Sequence, residues 1–367
     1  MKKTFWAGSL LLMAGLAACD SFGGPEPEEP NLLAENSVWV VCEGNFSDAD
    51  GDISVYFPGE DSTVVAAYEA INGFPYAGTL QSVTFEGDTA FLIDNAGARI
   101  TTVVANTMES VRERSYDWDI PRYMAVSGAN GFASVWGPYD QNYNSPESFV
   151  AVLDMTLGGL WGESIDMPSR PEQVIEAGGR IWVSCSAGAS LVSINPTSAQ
   201  VMSTVQSLSG VSAMAVDANG KLWVVSTSEG FNGSFSGALL RYNPEADSNL
   251  EQSYNLETPG SPVGTLALDG AGTTLYYIEQ EYQPDYSTIS KVYAMPIGAS
   301  TAPTTPLIEG TNFSAVGVHP VSGEIYVADN QAFQAAGRVI RYSAQGDSLG
   351  SFAVGRGPNA FHFRVDE

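Results

Sequence analysis

Residues 171–188 read PEQVIEAGGRIWVSCSAG. Two apolar runs, PEQVIEA and RIWVSC, flank a Gly-Gly pair. This is hairpin chemistry: glycine takes the left-handed φ of a tight turn, and β-branched and aromatic residues favour extended strands. The second run has an aromatic at its third position and ends in small residues. The same form recurs in SVWVVCEG from Ser37, TAFLIDNA from Thr89, KLWVVSTS from Lys221, TLYYIEQE from Thr274 and EIYVADNQ from Glu324, with a weaker copy, GFASVWGP, from Gly131. The copies stand about 40–53 residues apart, the spacing of propeller blades.

Each copy has neighbours of its own. A shorter apolar strand precedes it, as in QSVTF from Gln81, YMAVS from Tyr123, SAMAV from Ser212, GTLAL from Gly264 and SAVGV from Ser314. A third strand follows, as in ISVYFP, ARITTV, FVAVLD, LVSINP, LLRYNP, KVYAMP and VIRYSA, and a more polar fourth strand closes the unit. The sequence therefore predicts an all-β fold over residues 37–367, a seven-bladed β-propeller with four-stranded blades. The first unit lacks an inner strand. The chain ends in PNAFHF from Pro358, which has the pattern of PEQVIE. The C-terminal strand is expected to complete the first blade, so that no unpaired edge separates first and last blades.

The repeat also places several conspicuous residues. VCEGNFSDADGDISVY, residues 41–56, becomes the connection between the second and third strands of the first blade. Asp48, Asp50 and Asp52 have the spacing of half a calcium loop, but no distal glutamate follows to complete the oxygen shell. They are weak metal candidates, and a polar turn is the expected reading. Cys42 and Cys185 each stand three residues after a tryptophan, in the first and fourth blades, too far apart to bridge. Both are expected to be free and buried. Trp39, Trp182 and Trp223 recur at one strand position and read as packing residues.

The chain carries 42 acidic and 15 basic residues, a formal charge of −27, and 44% hydrophobic residues. Such a surface repels phosphate backbones and anionic lipid, so nucleic-acid partners are not expected. There are two histidines. His319 lies in the turn HPVSG and His362 on the closing strand, neither with a second ligand at metal spacing. No GxSxG, HExxH or phosphate-cradling loop occurs, so no enzymatic activity, metal or cofactor is expected.

At the N-terminus, MKK precedes the apolar run FWAGSLLLMAGLAA and Cys19. A basic start and a short apolar stretch read as a signal peptide. LAAC resembles the lipobox of bacterial lipoproteins. That resemblance implies removal of residues 1–18 and lipidation of Cys19, with enough acyl chains for stable anchoring. Residues 20–36, DSFGGPEPEEPNLLAEN, have no core pattern, so 19–36 read as a lipidated tether.

Over residues 37–365 the chain resembles the YncE-like, seven-bladed, surface-layer-type propeller lipoproteins of Bacteroidota. The resemblance rests on CEGNF and GDISVY, AINGFPYAGTLQSVTFEGDTAFLIDNAGARITTV, IPRYMAV, RPEQVIEAGGRIWVSCSAG, GKLWVV and GVHPVSGEIYVADNQAFQAAGRVIRY. It implies an outer-membrane protein, lipid-anchored and facing the exterior. It also implies capture of a small nutrient for a partner TonB-dependent transporter, with a cobalamin-like corrinoid as the ligand of one branch. A structural or adhesive propeller that binds protein or glycan is the alternative, and a propeller lyase or lactonase the third reading.

In a propeller, the loops between blades and those between second and third strands share one face. That face is expected to collect Trp118, Arg122, Trp136, Tyr139, Asn142, Tyr143, Arg170, Phe231, Tyr282, Tyr286 and Arg356. Loop aromatics beside amides and guanidiniums are what a capture site needs.

Overall fold

The strand Val38–Cys42 is buried at every residue. Its side chains serve two clusters in turn. Val38, Val40 and Cys42 pack with Tyr326 and Val339, whereas Trp39 and Val41 pack with Leu80, Val83 and Leu92. A strand covered on both faces must be apolar at successive positions, which explains the unbroken run VWVVC.

The computed structural model describes residues 37–206, 210–229, 235–246, 249–256, 261–283 and 288–365. They form seven four-stranded antiparallel sheets. From the innermost strand outward, blade 1 is Pro358–Phe363, Val38–Cys42, Asp52–Phe57 and Ser62–Val64. Blades 2 to 7 take their strands in chain order, beginning with Leu80–Glu86, Pro121–Ser127, Pro171–Ala177, Gly210–Val216, Ser261–Leu268 and Phe313–Val318. The expected propeller and its closure are present. Val38 lies opposite Phe363, Trp39 opposite His362 and Val40 opposite Phe361. Among the described residues, no helix is long and apolar enough to cross a membrane.

Seven hydrophobic clusters lie one at each joint between neighbouring blades. Trp182 and Trp223 belong to the joints of blades 4 with 5 and 5 with 6. Outer strands face water, as in Leu160–Asp166 and Val201–Gln206. Cys42 and Cys185 are free and buried, as expected. Burial pushes both thiols up to about 12.

One irregularity recurs in every blade. The pairing of the innermost strand with the second slips near the start of the inner strand. Such bulges leave a residue out of the ladder and turn its side chain in a new direction. Here they release Asn359, Gln81, Arg122 and Glu172 at equivalent places in blades 1 to 4. At six of the seven joints an inner-strand carbonyl at or beside the bulge is taken up by the preceding blade. Ser82 Oγ donates to the Arg122 carbonyl at 2.7 Å, Ser134 Oγ to that of Glu172 at 2.6 Å and Ser184 Oγ to that of Ser212 at 2.6 Å. Gln280 Nε2 donates to the Phe313 carbonyl, Ser314 Oγ to that of Pro358 at 2.6 Å and Asn359 Nδ2 to that of Gln81 at 3.2 Å. Hydroxyls and amides thus tie six of the seven joints together around a channel of about 410 Å³.

Candidate functional site

Residues 136–148 join the second and third strands of blade 3, and residues 167–170 lead into blade 4. The first of these loops folds around Asp140. Its carboxylate accepts from the backbone N–H of Asn142 and Asn144, both at 2.8 Å, and from Asn144 Nδ2 at 3.2 Å. The Asn144 hydrogen bonds lead in holding that carboxyl below its usual range. Ser148 Oγ donates to the Trp136 carbonyl at 2.7 Å and closes the base of the loop.

This fold brings five of the candidate residues together. The Trp136 ring lies against two guanidiniums, with Arg122 Cζ at 4.6 Å and Arg170 Cζ at 5.1 Å. Arg170 Cζ is also 5.5 Å from the Tyr139 ring, and Arg170 Nη2 donates to the Tyr143 carbonyl. Trp136 meets Tyr139 edge-on at 6.3 Å, and Tyr139 meets Tyr143 at 6.4 Å. Tyr139 and Tyr143 are 46% and 77% exposed, so the cluster opens to solvent. Cation–π contacts of this kind hold guanidiniums over rings without neutralising them.

The three candidate arginines differ in charge balance. Arg122 Nε is 3.1 Å from Glu172 Oε2, and its Nη1 donates to Gln81 Oε1. Arg356 is held by Asp48 and by Asp50, the latter at 3.5 Å. Arg170 forms no ion pair among the described residues, and its Nε is enclosed without an acceptor.

Arg122 also anchors a polar network at the channel mouth. Gln81 Oε1 accepts from Asn95 Nδ2 at 2.9 Å, and Asn359 Nδ2 donates to Glu43 Oε2 at 3.2 Å. Burial pushes the carboxyls of Glu43 and Glu172 above their usual range, against the pull of Asn359 and Arg122. Sequence reading passed over Gln81, Glu172, Glu43 and Asn359. The signal for three of them was positional: LQ, PE and PN open their inner strands as PR opens that of Arg122.

The acidic turn of blade 1 has a structural use. Asp48 and Asp50 surround Arg356, while Asp52 is turned the other way. Its carboxylate accepts from the N–H groups of Ile53 at 2.6 Å, Tyr68 at 2.9 Å and Glu69 at 3.4 Å, tying down the first turn of the helix Ala67–Asn72. Burial raises its pKa to about 6.

Trp118 needs a correction. It is 6% exposed and stacks on Tyr116 at 3.9 Å, within the apolar cluster between blades 2 and 3. Burial explains this ring, and it stands apart from the solvent-facing cluster. Asn142 contributes its backbone to the Asp140 turn and is exposed. Tyr282 is the last residue of the strand Thr274–Tyr282, of which only its backbone is described. Phe231, Tyr286 and Cys19 lie outside the described residues.

A family model described as a domain of unknown function, DUF5074, matches residues 36–355. The chain belongs to that family. No curated protein matches it in sequence. In fold, this DUF5074 chain is similar to the periplasmic gluconolactonase PpgL of Pseudomonas aeruginosa, with a TM-score of 0.66 and 15% identity over 90% of this chain and 99% of that one. It is also similar to a quinoprotein alcohol dehydrogenase-like protein of Bacteroides thetaiotaomicron, with a TM-score of 0.63 and 11% identity over 90% and 79% of the two chains. A putative 6-phosphogluconolactonase of Bacteroides fragilis gives a TM-score of 0.63 and 11% identity over 90% and 98%. At these identities the likeness is one of fold, and the site has to be argued from its own residues.

Proposed function

We propose that the protein is a binding propeller of the YncE-like surface lipoprotein type. In this reading it is anchored through Cys19 at the outer membrane and captures a small nutrient for a TonB-dependent transporter. The observation that carries the reading is the solvent-open cluster of Arg122, Trp136, Tyr139, Tyr143 and Arg170 beside the channel mouth. Flat rings with fixed guanidiniums can grip a ligand by stacking and by charge together. The sequence resemblance supplies the ligand, a cobalamin-like corrinoid. A corrinoid is far larger than a channel of about 410 Å³, so it would lie across the rim with an edge on Trp136 and Tyr139.

The test is a titration with cyanocobalamin. Cys19→Ser is expected to shift the protein from the membrane to the soluble fraction and so to supply the material. Micromolar binding, weakened by about 1–3 kcal/mol in Trp136→Ala, is the expected result. Absence of binding at that concentration would discard the corrinoid, and a Cys19→Ser protein still on membranes would discard the anchor.

A second reading rests on Glu43 and Glu172. Two half-buried carboxyls with raised proton affinity near one guanidinium could exchange a proton with a substrate at the mouth. Two of the structural neighbours carry lactonase names. Hydrolysis of glucono-δ-lactone that disappears in Glu172→Gln would favour catalysis over capture.

A further inference from the structure

We propose that Arg170, Trp136 and Tyr139 form an anion subsite, one that takes a flat ring bearing a carboxylate or phosphate group. The inference rests on the capture reading and names the chemistry of what is captured.

Its first support is the state of charge. Acids outnumber bases 42 to 15 in this chain. Arg99, Arg241, Arg338, Arg356 and Lys221 each have a carboxylate within ion-pair distance. Arg170 has none among the described residues. The nearby Glu172 is taken by Arg122 at 3.1 Å. Arg170 is therefore left without a carboxylate in ion-pair contact inside a strongly negative protein.

The second support is unused donor capacity. A guanidinium has five N–H donors in a planar fork. That of Arg170 donates through Nη2 to the Tyr143 carbonyl and its Nε–H is enclosed, so the donors left to a ligand are the remaining Nη hydrogens. The fork matches the paired oxygens of a carboxylate or phosphate. Trp136 and Tyr139 flank it at 5.1 and 5.5 Å, where a flat ring attached to the anion could stack.

The third support is the backbone. Arg170 has a φ of 57°. The residues in the same place before other inner strands are Gly357 at 65°, Asn312 at 56° and Ile120 at 59°. The left-handed conformation is thus a feature of the fold, and glycine meets it without strain. Ile120, Asn312 and Arg170 all adopt it, so the fold imposes the conformation on the residue that stands there. The Arg170 peptide is also pinned on both sides. Its N–H donates to Ser148 Oγ at 3.1 Å, and its carbonyl accepts from Ser186 N–H at 2.8 Å and Ser186 Oγ at 3.1 Å. The guanidinium is therefore positioned before any ligand arrives.

This geometry gives a test in which folding and binding move apart. Benzoate, phenyl phosphate and the neutral benzamide are titrated by calorimetry into the soluble Cys19→Ser protein and its variants. Either anion should bind about tenfold or more tightly than benzamide. The preference between benzoate and phenyl phosphate tells which anion the subsite was built for. Arg170→Gly should weaken both anions about tenfold or more while melting no lower than its parent, since glycine relieves the φ strain. Arg170→Lys should keep part of the affinity, because the charge remains and the fork is lost.

Absence of binding by both anions overturns the inference, as does an Arg170→Gly protein that binds them like its parent. If benzamide binds as well as benzoate and Trp136→Ala abolishes both, the anion subsite falls and the capture site stands. If benzoate binds in an Arg170-dependent way while cyanocobalamin does not bind, the subsite stands and the corrinoid falls.

Discussion

Glu279 ends a buried stretch of the second strand of blade 6, where it is 3% exposed and one carboxylate oxygen has no hydrogen-bond partner. Blades 2 and 7 place Asp94 and Asp329 at the same register position, each answered by an arginine directly across the next pair of strands. Arg99 meets Asp94 at 2.9 Å and Arg338 meets Asp329 at 2.8 Å. In blade 6 the residue across is Lys291, which lowers the glutamate's pKa less than burial raises it, to a net value of about 7. The folded pKa lies above the unfolded value of about 4.3, so between these values the folded chain holds a proton that the unfolded chain has lost. The contribution to stability is full below pH 4 and is lost as the pH rises through 7. Asp52, with its pKa raised to about 6, adds a loss of the same sign at lower pH. Urea unfolding should therefore show a smaller drop in stability from pH 5 to pH 8 in Glu279→Gln than in the parent. An equal drop in both would show that Glu279 is ionised throughout. No repeat-level reading could have marked this residue, because TLYYIEQE matches the strand pattern and gives no sign of how deeply its glutamate is enclosed.

At the scale of the element, periodicity was a good guide to strands and a poor one to what lies between them. The aromatic in VWVVC, IWVSC and LWVVS told both strand and position, because a strand covered on two faces has nowhere to put a polar side chain. Loop tryptophans gave no such signal. Trp118 and Trp136 both follow a strand and stand near aspartate and proline, yet Trp118 is enclosed at a joint and Trp136 carries two guanidiniums. What separates them is the partner supplied by another blade, which sequence spacing does not contain. The bulges escaped for the same reason. Their consequence can be measured at Ser134, whose hydroxyl donates to the Glu172 carbonyl of the next blade at 2.6 Å and lies 3.1 Å from the N–H of Tyr123. Ser134→Ala leaves that partly buried carbonyl without its hydroxyl donor and should cost about 1–3 kcal/mol in chemical denaturation. It should also loosen Glu172 and Arg122, and with them the cation–π contact on Trp136. A variant with parental stability would show that water replaces the hydroxyl and that the joint does not depend on it.

The described residues form a ring of seven joints, and the closing blade joins strands from opposite ends of that stretch. Blade 1 is assembled from residues at both ends of the described chain, with Pro358–Phe363 paired to Val38–Cys42. The seam is reinforced outside the ladder: Glu43 N–H donates to the Gly357 carbonyl at 2.9 Å, Gly44 N–H to that of Arg356 at 3.0 Å and Arg364 N–H to that of Ser37 at 2.9 Å. On the channel side, Phe361 and Phe363 meet Tyr326 of blade 7 edge-on, at 6.1 and 5.3 Å. Deleting residues 356–367 removes all of this together. It bares the edge of Val38–Cys42, a short apolar strand of the kind that pairs with other chains. It also opens the cluster between blades 7 and 1, against which Phe361 and Phe363 pack. The truncated protein should aggregate, or melt at least about 10 °C below the intact chain. A synthetic peptide of residues 356–367 added in trans should recover part of that loss, because the missing piece is a single strand whose partner edge remains. The same truncation takes Asn359 from the channel mouth, so Glu43 loses its amide donor and the polar network loses one side. A truncated chain that melts with the intact one would mean that six joints suffice and that the C-terminal strand serves the mouth and not the ring.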